Sequence, residues 1–139
     1  MKRFVKLISI FAFVFVCLLS SKVLAFPPSS SSLYAGIDVS EWQGDIDWQE
    51  VKNAGIQVVY IRSSEGSGYI DADAIRNYNG AKANGIKVGF YHYLTARNQS
   101  EAIEQAEFFV SVIKELEIDC RLAMDFESFG DLGTYEINL

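Results

Sequence analysis

From residue 34 onward, short apolar runs alternate along the chain with segments that have helical periodicity. Four apolar runs predict strands, at residues 34–39, 57–62, 86–94 and 121–126. Three segments between them predict helices, at 47–54, 71–84 and 100–116. The last helical segment has apolar residues at 103, 106, 109, 110, 113 and 116, which is the spacing of one helix face. Gly55 and Gly85 follow the first two helical segments and suit the left-handed conformation that ends many helices.

The regular alternation of strand and helix predicts an α/β fold. A strand followed by a helix and another strand, repeated along the chain, favours parallel strands joined by right-handed crossovers. Strand order does not follow from the sequence, so two architectures stay open. One is part of a closed β/α barrel, and the other is a flat, flavodoxin-like sheet.

Residues 1–25 have the layout of a secretory signal peptide. Three basic residues come first, namely Lys2, Arg3 and Lys6. An apolar run follows at 7–19, and Ala25 supplies a small residue at a plausible cleavage point. The run has 13 residues, whereas a membrane-spanning helix needs roughly 20. We therefore predict a secreted, extracellular protein, with an uncleaved membrane anchor as the alternative.

The segment after the predicted signal peptide divides into a linker and a domain. Residues 26–33 contain two prolines followed by serines, which cannot bury apolar area, so we expect a flexible linker. The catalytic domain is then expected at 34–139. Only one cysteine, Cys120, remains after residue 25, so no internal disulfide can form there.

The charge balance excludes two classes of partner. The 12 basic and 18 acidic residues give a net charge of −6, and four of the basic residues but no acidic ones lie within 1–25. Residues 26–139 therefore carry a net charge of −10. Such an acidic chain lacks the clustered lysines and arginines that bind nucleic acid or anionic lipid. We expect no nucleic acid and no stable membrane association after signal cleavage, while a neutral glycan stays open as a partner.

Three carboxylates lie where apolar strands end: Asp38 after the first strand, and Asp125 and Glu127 on the fourth. Ligands of parallel α/β sheets bind at this edge. Residues two apart on a strand face the same side, with Cα atoms roughly 6.5 Å apart. Repulsion at that separation favours one protonated and one ionised carboxyl, the combination that glycosidic cleavage uses. The alternatives are a solvated strand end or a divalent metal site, but no Asp/Asn-rich loop or second histidine supports a metal, and we expect no cofactor.

Several other polar residues are candidates for substrate binding. Arg62 also lies at a strand end and could orient a carboxylate or hydrogen-bond a sugar, although a weak surface salt bridge is the alternative. Tyr91 and Tyr93 share one face of the third strand, where aromatic rings can stack on sugars, or they belong to the core. His92 faces the other way and has no nucleophile motif to complete a catalytic triad. We expect His92 to be a packed residue.

The motifs around these residues resemble those of glycoside hydrolase family 25, the lysozymes that act as N-acetylmuramidases. The matching segments are 36–40 (GIDVS), 42–44 (WQG), 60–66 (YIRSSEG), Asp71, Asn77, 81–85 (AKANG), 89–93 (GFYHY) and 123–127 (AMDFE). They occur in the family's order and at its spacings, and they cover nearly all of residues 34–127. Each segment is weak evidence alone, but the set is specific.

The resemblance implies a fold, an activity and roles for the candidate residues. The fold would be a modified TIM-like β/α barrel, and the reaction would cleave the β-1,4 bond between N-acetylmuramic acid and N-acetylglucosamine in bacterial peptidoglycan. Glu127 would be the general acid, and Asp125 would stabilise charge or orient the substrate's acetamido group. Asp38 would line the same cleft. Arg62 and Tyr93 match positions near the sugar.

The family pattern continues beyond the length of this sequence. Family domains have several more strands, including a later strand-end aspartate, whereas about four strands are expected here, and four cannot close an eight-stranded barrel. The sequence is therefore expected to be either a fragment or a shortened product. Under the second interpretation it would be a non-catalytic remnant that binds glycan or acts as an interaction module. We expect residues 34–139 alone to be poorly folded or nearly inactive.

Overall fold

The computed structural model describes residues 33–127, and every structural statement below concerns that part of the chain. Its strands and helices, in chain order, are β1 (Gly36–Val39), α1 (Trp48–Asn53), β2 (Val58–Glu65), β3 (Tyr69–Ile70), α2 (Ala74–Ala83), β4 (Lys87–Tyr93), α3 (Gln99–Ile113) and β5 (Ala123–Asp125). A 3-10 turn at Glu41–Gln43 lies between β1 and α1. The predicted signal peptide, nearly all of the predicted linker and residues 128–139 lie outside the described residues.

The strand order decides between the two predicted architectures. The order is β1-β2-β4-β5, all neighbouring strands in it are parallel, and β3 pairs antiparallel with the end of β2. Each crossover therefore places the next long strand directly beside the previous one, as in a β/α barrel. A flavodoxin-like sheet has its first strand inside the sheet, so that alternative is wrong. Within residues 33–127 the sheet is open, with β1 and β5 at its edges.

One face of the sheet packs against the helices and forms the core. Val59 and Ile61 of β2 are fully buried, as are Val88 and Phe90 of β4. The helices cover them with side chains that belong to the same cluster, namely Trp48, Ala74, Ala81, Phe109 and Ile113. Because side chains alternate along a strand, the residues between these core positions face the opposite, concave side of the sheet.

The predicted elements are all present, but several boundaries differ. Helix α2 begins at Ala74 rather than at 71, because the Asp71 carboxylate accepts the Asp73 backbone N–H at 3.0 Å and forms a turn before the helix. Strand β2 extends to Glu65, three residues beyond its predicted end. The two-residue β3 and the 3-10 turn were not predicted, since neither is long enough to show a period. Gly55 and Gly85 have φ of 87° and 64°, which confirms their predicted left-handed conformation.

Gly80 marks the closest approach between α1 and α2. A Cβ atom at this position would lie 2.2 Å from Cδ1 and 2.6 Å from Nε1 of Trp48. The Trp48 ring is buried in the core, so it cannot turn away without opening a cavity. The missing side chain of Gly80 therefore makes room for the indole.

Replacing Gly80 with Ala tests this packing. In a helix interior alanine is about 1 kcal/mol more favourable than glycine. At a helical position with free space, Gly→Ala would therefore raise the free energy of unfolding. Here we expect the overlap with Trp48 to reverse the sign and to lower the free energy of unfolding by roughly 1–3 kcal/mol, measured by urea denaturation. Gly68→Ala is the control, because nothing lies within 4 Å of its added Cβ. Equal stability of the two variants would contradict the proposed packing.

Candidate active site

The concave face of the sheet carries a pocket that crosses all four parallel strands. It is lined by Tyr34, Gly36, Ile37, Asp38, Val58, Tyr60, Tyr91, Ala123, Asp125 and Glu127. Three of these are the carboxylates singled out in the sequence. Asp38 comes from edge strand β1, and the other two come from β5 and the residues just after it. The pocket therefore joins chain segments nearly 90 residues apart.

Asp125 and Glu127 face the pocket together because of strand alternation. Ala123, Asp125 and Glu127 all line the pocket, while the intervening Met124 does not and is 42% exposed. Asp38 is separated from them by β2 and β4. Three strand spacings correspond to roughly 14 Å along a flat sheet, and curvature of the concave face shortens that distance. The arrangement has two adjacent carboxylates on one wall and a third on the facing wall.

Tyr91 lies between the two walls. Tyr91 of β4 pairs with Ala123 of β5, and both residues line the pocket. Burial raises the pKa of the Tyr91 phenol above its usual value, and the charges of Asp38 and Asp125 raise it further, against the opposing effect of Arg62. Tyr91 thus stays protonated at neutral pH. A neutral hydroxyl at this place can donate to a ligand oxygen in the pocket.

Tyr60 is a pocket residue for which the sequence suggested no role. Its hydroxyl donates to the Arg121 carbonyl at 2.9 Å, which ties β2 to the segment before β5. Its ring crosses Gly89 of β4, where a Cβ atom would come within 2.7 Å of the ring. The sequence did contain a signal for this position. Tyr60 lies two residues before Arg62 on the same strand, so the two side chains are expected on the same face of the sheet.

Arg62 is engaged by three carboxylates at the carboxyl edge of the sheet. Its Nε lies 2.8 Å from Asp71, one terminal nitrogen lies 2.9 Å from Glu41, and the other lies 3.5 Å from Glu65. The Arg62 side chain is 8% exposed and that of Asp71 is fully buried. The bond to Asp71 is buried and the other two are partly buried, unlike the surface salt bridge considered from the sequence. A sugar contact by Arg62 stays a prediction, since Arg62 is not among the pocket-lining residues.

Tyr93 also lies outside the pocket lining. It is the last residue of β4, it pairs with Asp125 of β5, and its carbonyl accepts the Gly66 backbone N–H at 3.2 Å. The predicted sugar contact by Tyr93 stays a prediction as well. Four of the six candidate residues line the pocket, namely Asp38, Tyr91, Asp125 and Glu127, whereas Arg62 and Tyr93 do not.

His92 faces the helices and is fully buried. Its Nδ1 lies 2.9 Å from the Ser64 hydroxyl, its Nε2 lies 3.4 Å from the Gln105 side-chain oxygen, and its ring packs on Phe109. Gln105 Oε1 also accepts the Thr95 backbone N–H, so Nε2 is the protonated nitrogen and Nδ1 accepts from Ser64. Burial lowers the pKa of His92, although the bond to Gln105 opposes this shift.

The described residues offer little for a metal and nothing that could span a membrane. No three His, Cys, Asp or Glu side chains between residues 33 and 127 are grouped so as to hold a metal ion. Across the same residues, no helix has the length and hydrophobicity to cross a bilayer. The titratable side chains that line the pocket are three carboxylates and three phenols, a set suited to acid–base chemistry.

Comparison with known proteins gives the family. The model of glycosyl hydrolases family 25 matches residues 37–138, which is most of the chain. The chain belongs to glycosyl hydrolases family 25. This confirms the resemblance drawn from the motifs, and solved structures of the family confirm the TIM-like α/β fold.

Individual relatives of this family 25 chain are lysozymes. The chain is 44% identical over 92 residues to the autolytic lysozyme of Clostridium acetobutylicum, an alignment that covers 66% of this chain and 28% of that protein. It is 43% identical over 84 residues to lysozyme M1 of Streptomyces globisporus, covering 60% of this chain and 28% of that protein. The bacterial lysozyme structure from Streptomyces coelicolor superimposes with a TM-score of 0.60 at 34% identity, covering 74% of this chain and 49% of that one. The chain thus spans about 28% of the length of these two curated relatives.

Asp71 gives a direct test of the buried Arg62 cluster. Its carboxylate accepts from Arg62, from the Glu41 backbone N–H at 3.1 Å and from Asp73. Asp71→Asn removes the only fully buried carboxylate of the three and leaves Arg62 with the partly exposed Glu41 and Glu65, so we expect the free energy of unfolding to fall by about 1–3 kcal/mol. Asp45→Asn, which removes an exposed partner of Arg76, is the matched control and should unfold like the wild type. If Asp71→Asn matches that control, the cluster does not stabilise the fold.

His92 predicts a specific pH dependence of stability. Because the folded-state pKa of His92 is lowered, the unfolded chain binds the proton more readily. The stabilising effect of neutral His92 is present above roughly pH 6.5 and is lost as the pH falls below it towards the lowered pKa. Thermal unfolding between pH 7.5 and 5 should show this loss in the wild type and a flatter profile in His92→Gln. His92 is the only histidine in the chain, so parallel profiles would contradict the assignment.

Proposed function

We propose that this family 25 chain carries the acid–base residues of a secreted lysozyme that hydrolyses bacterial peptidoglycan. The bond cleaved is the β-1,4 bond between N-acetylmuramic acid and N-acetylglucosamine. The observation that supports this most is the pocket itself, in which Asp38, Asp125 and Glu127 converge from both edge strands. The lysozyme relatives support the same substrate class.

Each carboxylate has a role that fits its position. Glu127 follows β5 and is more exposed to solvent than Asp125, its neighbour on the same strand face, so it can exchange protons with water and donate one to the departing glycosidic oxygen. Asp125, two residues earlier on the same wall, lies next to the carbon where positive charge develops. Its carboxylate stabilises that charge or holds the substrate's acetamido group. Asp38 completes the facing wall.

Tyr91 contributes as a neutral donor between these walls. Burial raises the pKa of the Tyr91 phenol, so the phenol stays protonated at neutral pH. The hydroxyl can hydrogen-bond a sugar oxygen without adding a further negative charge to an acidic pocket. Tyr60, whose hydroxyl donates to the Arg121 carbonyl, also lines the pocket.

Secretion is part of the proposal because the substrate is extracellular. Residues 1–25 supply the export signal and residues 26–33 the linker, as their composition indicates. The net charge of −10 after residue 25 also fits a glycan partner better than nucleic acid or an anionic membrane.

Replacing Glu127 with Gln separates catalysis from binding. The amide keeps the shape of the side chain but cannot donate a proton. In a chain extended to the length of the family 25 catalytic domain, we therefore expect hydrolysis of purified cell walls to fall by about 10²–10⁴-fold. Binding to the same walls, measured by co-sedimentation, should survive. Turnover is followed by the release of reducing ends. Glu104→Gln, the same substitution on the exposed surface of α3, is the matched control and should keep wild-type turnover.

Two outcomes would contradict parts of this proposal. Wild-type turnover in Glu127→Gln would show that Glu127 is not the acid. Wall binding by the wild type with no release of reducing ends would instead favour the non-catalytic, glycan-binding interpretation.

A further inference from the structure

Trp42 is the most exposed aromatic side chain among residues 33–127. It is 78% exposed and lies in the 3-10 turn that follows β1, two residues after Ser40. An indole left in water forgoes the burial that would otherwise stabilise the fold. An exposed apolar surface beside a polar site is typical of a surface that binds a ligand. What makes Trp42 unusual is the rigidity of the turn that carries it.

The turn is closed by a complete capping box. The Ser40 hydroxyl accepts the Trp42 backbone N–H at 3.3 Å, and the Gln43 side chain accepts the Ser40 backbone N–H at 2.6 Å. Gly44 ends the turn with φ of 63°, a conformation that side chains rarely adopt. The backbone around Trp42 therefore has one well-defined conformation.

The same turn is attached to the buried Arg62 cluster. The Glu41 carboxylate receives both the Arg62 guanidinium and the Tyr69 hydroxyl, and the Glu41 backbone N–H donates to Asp71. The hydrogen bond to Glu41 raises the pKa of Tyr69 to about 12, so this phenol remains a donor. Tyr69 is itself 42% exposed, with the Arg62 guanidinium 5.8 Å from its ring centroid. Glu41 thus hydrogen-bonds the exposed Tyr69 and directly precedes the exposed Trp42 in the turn.

The turn is continuous with the active-site pocket. Ser40, which caps the turn, directly follows Val39 at the end of β1, the strand whose Gly36, Ile37 and Asp38 line the pocket. Asp38, which lines the pocket, lies only four residues before Trp42. A polymeric ligand that occupies the pocket and continues past the carboxyl end of β1 would therefore meet the indole.

A sugar ring is the occupant that this chemistry fits. A pyranose presents a face of C–H groups that packs on an aromatic ring, while its hydroxyls stay in contact with water and with polar neighbours such as Glu41. The exposed aliphatic residues Ile103 and Val110 of α3, by contrast, offer no flat ring and lie apart from the pocket. Because the backbone of the turn already has one conformation, little backbone entropy is lost when a ligand binds the ring.

We propose that Trp42 is a sugar-stacking platform that binds a pyranose ring of the glycan strand outside the reacting pair of sugars. The contacts of Glu41 with Arg62 and Asp71 fix the turn that carries Trp42, and Tyr69 hydrogen-bonds the same Glu41 carboxylate. The inference rests on the proposed function and adds to it a subsite that extends the pocket beyond β1. The subsite makes binding depend on the length of the glycan.

The test compares glycans of different lengths in the full-length protein. In the Glu127→Gln background, which prevents turnover, Trp42→Ala is compared with Trp42→Phe by calorimetry. The probes are peptide-free glycan strands of eight or more sugars and the single disaccharide of N-acetylglucosamine and N-acetylmuramic acid. We expect Trp42→Ala to weaken binding of the long strands at least tenfold and to leave disaccharide binding unchanged, while Trp42→Phe keeps most of the affinity. Ile103→Ala controls for the loss of exposed apolar surface elsewhere, and melting temperatures check that each variant is folded.

The outcomes separate this inference from the function on which it rests. Unchanged affinity of Trp42→Ala for the long strands overturns the platform but leaves the lysozyme proposal standing. An equal loss for long strands and disaccharide also overturns it, since an outer subsite cannot affect a ligand that does not reach it. If the protein with its native Trp42 binds neither probe, and the native Glu127 form does not cleave cell walls, then the proposed function and the platform fail together.

Discussion

The buried guanidinium of Arg62 is the interaction on which the carboxyl edge of the sheet depends. It binds Asp71, Glu41 and Glu65, which belong to the segment before α2, the turn after β1 and the end of β2. A charge removed from water is costly unless it is fully paired, so these segments cannot separate without exposing an uncompensated ion. The loops that frame the pocket are thereby fixed to one another, although they are distant in sequence.

The two faces of the sheet differ in composition and in what they contact. The face towards the helices is apolar over most of its length, but near the carboxyl edge it carries Ser63, Ser64 and His92, all fully buried. These groups bond to one another and to Gln105 of α3, which satisfies polar atoms that would otherwise destabilise the core. The concave face carries carboxylates and phenols. The buried polar layer therefore holds the ends of β2 and β4 rigid directly behind the pocket.

Small residues permit the closest approaches in this arrangement. Gly80 admits the Trp48 indole between two helices, and Gly89 admits the Tyr60 ring on the concave face. The first contact fixes how α1 lies against α2, and the second lets Tyr60 reach across β4 to the carbonyl of Arg121. In both the core and the pocket, an aromatic ring thus packs directly against a glycine that has no Cβ atom to block it.

The sequence by itself determined the order and type of the main elements, because apolar periodicity and helix-ending glycines are local properties. It also determined the family and the shared facing of Asp125 and Glu127, since motif spacing and strand alternation require no tertiary information. The two-residue β3 and the capped turn at Glu41–Gln43 carry too few residues to show a period, so they became visible only in the structure.

Only the tertiary structure decided the strand order and the partners of Arg62. Each of these depends on contacts between segments far apart in the chain. Local pattern cannot tell whether an arginine at a strand end faces solvent, a ligand or buried carboxylates. That choice is made by which loops the fold brings to the same edge of the sheet.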